Sequence, residues 1–432
     1  MAGEWLPHVG IGQEELLWRL FERMSKYRQR FKCGDRFLCA LLALVFFVCA
    51  VVPAASAAEP IAETPTETLT AAEAEQMGEV DDAVTALTQS ESYTEMTFDE
   101  REAAAVAQLT ELAEQGLVDA SSIYVDVENG MVSYTYTCGA FGGILLNDLE
   151  DDNGWKGTVS DLEDAVMRPN AHSEANASNA QSGHIGSAAI YYAFDNTVNS
   201  SRYPYYSYMK GFWTALGLDT NLDTSVTVAD LRGMGNYDLC VLSAHGAYYT
   251  YTYGWLWKRA KTEAVILLTE ESSFAKDMRY AIDLLYHRVI KINGLYSVTP
   301  DFFNSGSFFR ELDGTIIYSE ACEFLGSSDC VDGSMADAML AGGASAVIGY
   351  VNNVYTVYSR SMLWDTVNHL LAGETVGEAL DHAKENYGSD DVVWYLSQGG
   401  RRPHKWTSRA LLYGDVNARL VDAAAAETAR AA

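Results

Sequence analysis

Two apolar segments of this 432-residue chain end in side chains capable of covalent chemistry. The first, Tyr237 to Ala244 (YDLCVLSA), runs directly into His245-Gly246. The second, Gly314 to Glu320 (GTIIYSE), is followed by Ala321 and Cys322. Held side by side, a thiol and an imidazole are a nucleophile and a proton carrier: the thiolate attacks a carbonyl carbon and the imidazole protonates the leaving amine. Gly246 leaves the backbone N–H beside the histidine unobstructed, and with the N–H of Cys322 it offers two donors where an oxyanion would form. The chemistry requires the two segments to be neighbouring strands, because functional groups of open α/β sheets gather beyond the carboxyl ends of the strands.

The surrounding pattern fits such a sheet. From residue 188 onward, continuous apolar strands alternate with helical segments. Strands are expected over Ala188–Phe194, Tyr237–Ala244, Gly314–Glu320 and Ala344–Val351, and helices over Tyr205–Leu216, Met335–Leu340, Ser359–Leu371 and Thr375–Asn386. Unbroken apolar strands with interleaved helices imply a mostly parallel sheet of about six strands, covered on both faces. Ahead of it, Thr97–Gln115 has helical apolar spacing, and Ser122–Leu146 alternates like strands around the turn Glu128-Asn129-Gly130. The expected organisation is a targeting segment over 1–57, a disordered acidic leader over 58–96 and a small α+β domain over 97–167. A linker over 168–187, the main domain over 188–420 and a disordered tail over 421–432 complete it. The leader is expected to be disordered because it is rich in Ala, Glu and Thr with few large apolar residues.

The strand ending in His-Gly and the strand ending in Ala-Cys, in that order, resemble the caspase-like superfamily of cysteine peptidases. The downstream segments MADAMLAGGASAVIGYVNNV, LLAGETVGEALDHAKENYG and LLYGDVNARL resemble the C-terminal half of its gingipain-like members. The resemblance covers about residues 188–420 and implies a three-layer α/β/α sandwich. It makes His245 the catalytic base, Cys322 the nucleophile and Gly246, with Cys322, the oxyanion donor. Glu320-Ala321-Cys322-Glu323 is similar to the Glu-Ala-Cys-Glu of legumain-like members, whose first acid lines the specificity pocket. Glu320 is therefore either a pocket carboxylate favouring a basic or Asn side chain before the cut, or a buried hydrogen-bonded one. Asp195 is a second candidate, since gingipain-like enzymes use an acid upstream of the histidine.

Composition narrows the partners. A formal charge of -30 excludes a nucleic-acid binder driven by phosphate attraction. The acidity is concentrated at the front, with roughly 26 acidic against 3 basic residues between Ala58 and Gly183. Phe37 to Val52 is apolar, preceded by Lys26, Arg28, Arg30, Lys32 and Arg36 and followed by Ala55-Ser56-Ala57. That is the layout of a cleaved export signal, or of an uncleaved anchor as the only membrane contact, and it implies a secreted or envelope location. Four cysteines follow this segment: Cys138, Cys240, Cys322 and Cys330. They do not make a disulfide framework. Cys240 reads as a buried small hydrophobe, and Cys330 as inert or as an oxidative partner of Cys322.

The insertion between the two catalytic segments opens with AYYTYTYGWLW and contains the turn Asn293-Gly294. It reads as a β-hairpin or as an aromatic wall for an extended peptide. His172, His184, His287, His369, His382 and His404 show no ligand spacing. There is no metal motif, Walker loop or serine-hydrolase elbow, so neither a cofactor nor a metal is expected. The reading is a cysteine endopeptidase acting on peptide or protein substrates through a thioester. The alternative is a catalytically silent peptide-binding or surface scaffold protein of the same fold. The acidic front is either a spacer or a prodomain released by cleavage in the linker, where Asn170, Asn176 and Asn179 are available.

Overall fold

The computed structural model describes residues 68–147, 186–193, 205–253, 259–304, 311–328, 330–401 and 403–421, all within one compact unit, Pro65–Ala432. The targeting segment, nearly all of the linker, Asp195 and the tail beyond 421 lie outside the described residues. Among those described, no helix is long and apolar enough to cross a membrane.

The fold is mixed α/β, built on two large sheets beside a small two-stranded one. The first carries β4 (Gly186–Ala193), β5 (Leu218–Asp223), β6 (Leu239–Ala244), β11 (Ile316–Ser319), β14 (Ala346–Val351) and β15 (Arg409–Gly414). Their order is β15-β14-β11-β6-β4-β5, with all pairings parallel except β14–β15. Alternate residues of its central strands enter two different cores, as a sheet buried on both faces requires. Ile190, Val241, Tyr318 and Ile348 pack on one face with α3 (Tyr205–Ala215), α5 (Thr356–Leu371), α6 (Val376–Tyr387) and α7 (Asp391–Ser397). Tyr191, Cys240, Ile317 and Val347 pack on the other with α4 (Ser334–Ala341) and the short helices Val228–Arg232 and Pro300–Asn304. The four expected strands and four expected helices are present, with ends shifted by a few residues. The polar edge strand β5 and the antiparallel β15 were not expected.

The second sheet changes the expected organisation. Its order is β1-β2-β3-β9-β10-β8-β7. The first three strands are Tyr124–Asp126, Met131–Thr135 and Phe141–Leu145. The other four come from the insertion: β7 (Gly246–Tyr253), β8 (Arg259–Glu271), β9 (Val289–Ile292) and β10 (Leu295–Val298). The small α+β domain expected over 97–167 is therefore not a separate body. Its β3 pairs in parallel with β9, through Gly142↔Lys291 and Gly143↔Ile292. Both expected hairpin turns form. Asn293 and Gly294 each take a positive φ, as a two-residue hairpin turn demands.

The leader is corrected as well. Residues 71–88 form an 18-residue helix, α1 (Ala71–Thr88), opened by a capping box between Thr70 and Glu73. Ala74, Met77, Val80 and Val84 form its buried stripe. Asp81, on the same side, lies 2.6 Å from the Nζ of Lys291 on β9, which also sits 2.8 Å from the Asp277 carboxylate. Tyr136 donates to Asp81 and Tyr296 to Asp277, so the buried charges are matched by hydrogen bonds. Next in the chain, α2 (Phe98–Glu114) turns the Arg101 guanidinium onto the carbonyls of Tyr93, Thr94 and Leu146, tying itself to the end of β3.

Candidate active site

The neighbour relation that the chemistry requires is present. Strands β6 and β11 pair in parallel, with Ser319 opposite Leu242, and Glu320 N–H donates to Leu242 O at 2.8 Å. His245 lies three residues beyond Leu242 and Cys322 three residues beyond Ser319, so both follow the carboxyl ends of these two neighbouring strands. The contact is also visible in the backbone. A Cβ placed on Gly246 would stand 1.9 Å from the carbonyl oxygen of Cys322 and 3.2 Å from the Ala321 Cβ. Glycine is required here by close approach, not by its φ.

His245 joins the two sheets: β6 ends immediately before it and β7 begins immediately after it. Its carbonyl accepts from Leu267 N–H at 3.0 Å, which starts the β7–β8 ladder. Hydrogen-bonded and non-hydrogen-bonded pairs alternate along an antiparallel ladder, so the next N–H, that of Gly246, points away from β8. Since β7 is the last strand of its sheet, this N–H faces the open edge. Burial pushes the His245 imidazole down to about 4, so the ring is neutral at physiological pH and can accept a proton.

Cys322 is partly buried against the core shared by α3 and α5. Its Sγ accepts from the Val354 N–H at 3.4 Å. Val354 stands one residue before Tyr355, the N-cap of the 16-residue α5, so the sulfur faces the positive end of a helix dipole. An N–H donor and a helix N-terminus are surroundings in which a sulfur can carry negative charge at lower cost. Sequence reasoning missed this group, because Val354 carries no chemical signature and is brought in by the fold. Next to the sulfur, Glu323 and Asn352 both take left-handed backbone conformations (φ 55° and 64°). The Glu323 N–H donates to Asn352 O at 2.9 Å, and Asn352 Nδ2 donates to Thr407 O at 3.0 Å. Backbone strain of this kind concentrates where surrounding structure over-determines a functional loop.

The Val354–Tyr355 corner is braced by residues that were likewise not singled out for it. Tyr355 is stacked between Tyr395 and His404, with ring centroids 4.7 and 4.3 Å away. Buried Asp391 accepts from Ser408 N–H at 2.8 Å and Tyr355 N–H at 3.3 Å, and its Oδ2 lies 2.9 Å from His404 Nε2.

Glu320 lies on the same face as Cys322 and is buried. Oε2 accepts from the Tyr206 hydroxyl at 2.8 Å and Oε1 from the Ser359 hydroxyl at 3.1 Å. Arg360 Nε donates to Tyr206 at 3.2 Å. Desolvation raises the Glu320 carboxyl above its ordinary value, against the opposing pull of Arg360 and these donors. Asp195 is outside the described residues.

All four cysteines downstream of the targeting segment are free. Cys240 is fully buried, and desolvation holds its thiol far above the ordinary value. Cys330 is exposed on β13 (Cys330–Val331), which pairs with β12 (Gly326–Ser327). The aromatic insertion forms the hairpin β7–β8, at the edge of the second sheet. Tyr249 is buried and donates to Gly142 O, while Tyr248 donates to Asp332, so these two rings serve packing.

His287 stacks on Phe141 and lies within 3.0 Å of Gly139 O, a structural role. The lack of ligand spacing among the histidines does not carry over to three dimensions: His369 and His382 converge on Glu374. His172 and His184 are outside the described residues. No protein-family model matches this chain, and no curated protein sequence matches it.

Proposed function

We propose that this chain is an exported cysteine endopeptidase with the three-layer architecture of the caspase-like superfamily, His245 and Cys322 acting as its dyad. The observation that carries the reading is the close approach of Gly246 to Cys322 at the in-register ends of β6 and β11. The Cys322 sulfur attacks the scissile carbonyl, and its proton passes to His245. The oxyanion is met by the N–H groups of Gly246 and Cys322. His245 then protonates the leaving amine as the C–N bond breaks, leaving a thioester. Water adds to the thioester with His245 as base, the acid departs and the thiol is restored.

On this reading Glu320 supports the base of the pocket for the residue before the cut and favours a basic or Asn side chain. Its carboxylate, held between Tyr206 and Ser359, supplies negative potential on the same face as the nucleophile. Peptide-library hydrolysis by the wild type, Cys322→Ala and His245→Ala tests the proposal. Both variants are expected to fold and to lose turnover. Cleavage by Cys322→Ala at the wild-type rate removes the mechanism.

A further inference from the structure

Helices α5 and α6 are joined by a turn that does more than reverse the chain. It is a Schellman motif: Gly373 takes φ 89°, its N–H donates to Leu370 O at 3.0 Å, and the Glu374 N–H donates to His369 O at 3.1 Å. This motif brings the side chains of its first and last residues together, usually as an apolar contact. Here they are His369 and Glu374. The Thr375–Glu378 capping box of α6 follows at once, and Arg419 donates to the Gly373 carbonyl. The Glu374 backbone is thus fixed from both sides. His382 comes up from the second turn of α6, so one ligand atom each from His369, Glu374 and His382 lie within 4.8 Å of one another.

We propose that His369, Glu374 and His382 form a binding site for one divalent transition-metal ion, zinc by preference, that clips α5 to α6. His369 Nδ1 stands 3.0 Å from Glu374 Oε1, and His382 Nε2 stands 3.6 Å from Glu374 Oε2. Each nitrogen faces its own oxygen of the one carboxylate, and both separations lie near the roughly 3.3 Å between donors that a tetrahedral zinc imposes at bond lengths of about 2.0–2.1 Å. His369 Nδ1 and Glu374 Oε2 are both sealed from solvent and neither makes a well-directed hydrogen bond, so beyond the close contacts just given they have no other polar partner.

The outer nitrogens match a metal site too. His369 Nε2 is 4.0 Å from Asp365 and His382 Nδ1 is 3.7 Å from Glu385, so a carboxylate stands behind each imidazole just beyond hydrogen-bond distance, within reach of the hydrogen bond that metal-ligating histidines usually make. Asp365 is itself held by Asn386 Nδ2 at 2.8 Å. A metal lies in the plane of each ring it binds, and the two rings are stacked 4.6 Å apart. Binding therefore turns one of them, and His382, 48% exposed, has the room. The fourth position is left to water. An imidazole–carboxylate set suits zinc among the borderline divalent ions. Because α5 also carries Ser359, the clip steadies the helix that holds Glu320.

The test is calorimetric titration of zinc into the full chain carrying Cys322→Ala and Cys330→Ser, which removes the candidate nucleophile and the exposed thiol, with and without His382→Ala or Glu374→Gln. The expected result is one zinc per chain in the parent, weakened by about tenfold or more in either variant. Since His382 is half-exposed, its replacement leaves the fold intact. Cobalt(II) substitution should give ligand-field bands of a nitrogen–oxygen site without a sulfur charge-transfer band. Unchanged zinc affinity in His382→Ala, no zinc bound by the parent, or a sulfur charge-transfer band would each overturn the proposal.

Discussion

The α-carbon of Gly246 lies against the peptide carbonyl of Cys322, so closely that a β-carbon there would come within 1.9 Å of the oxygen. This contact fixes the separation between the histidine-bearing and cysteine-bearing strands. Gly246→Ala must push them apart. We expect a loss of about 1–3 kcal/mol from overpacking and a fall in kcat/KM of about a hundredfold or more from the displaced oxyanion donor. Urea denaturation and peptide kinetics on the same preparation check both. Wild-type kinetics would mean that the contact does not set the site.

The acidic front of the chain is built into the fold through Lys291, which is fully buried between Asp81 and Asp277. Lys291→Ala leaves two buried carboxylates without their cation and is expected to cost about 3–5 kcal/mol in denaturant unfolding. Cleavage of the chain between residues 168 and 185 should leave the pieces associated, because β3 remains paired with β9. Separation of the pieces on gel filtration under native conditions would restore the picture of a removable front domain.

His245 gives a pH signature. Its pKa falls from 6.5 to about 4 through burial, so on the proposed mechanism the ring stays neutral, as a base must be, well below the ordinary histidine range. The acid limb of kcat/KM, which reports the free enzyme, should therefore fall near pH 4 and not near 6.5. The same depression affects stability. The unfolded chain takes up this proton first as pH drops, so the stability tied to the neutral ring is complete above 6.5 and is lost as pH falls toward 4. His245→Gln should flatten that part of the stability profile. An acid limb at 6.5 would mean that the ring is solvated or paired in the working enzyme.

Glu320→Gln keeps the shape and the hydrogen-bond acceptor of the carboxylate but removes its charge. If the charge serves the pocket, kcat/KM for peptides with Arg before the cut should fall by about tenfold relative to those with Asn. An equal fall for both, together with lowered stability, would assign Glu320 to the scaffold of Tyr206, Ser359 and Arg360.

The first sheet was legible because its central strands are buried on both faces and leave unbroken apolar runs. His245 and Cys322 drew notice because they follow two such runs, and the pairing of those two strands is what the fold adds. Strand β5 was not, since LDTNLD is a half-exposed edge with no apolar run. Helix α1 was hidden because its buried stripe is short and includes Ala74 and Asp81, the latter matched by a lysine 210 residues away. The second sheet was hidden for the same reason, as its strands come from two distant segments. Val354, Asp391 and His404 reach the site from beyond β14, and no local spacing announces them. His369, Glu374 and His382 fit no linear metal motif, because a Schellman turn, not one helix face, brings them together.

Cys330 is exposed, whereas Cys322 is partly buried against the α3–α5 core. Exposure alone therefore favours labelling of Cys330, and a poised nucleophile favours Cys322. The most direct measurement is peptide mapping by mass spectrometry after brief treatment of the protein at neutral pH with a peptidyl acyloxymethyl ketone carrying Arg or Asn. The account predicts one adduct per chain, on Cys322, abolished by His245→Ala. Labelling of Cys330 in preference to Cys322, or Cys322 labelling unaffected by His245→Ala, would contradict it.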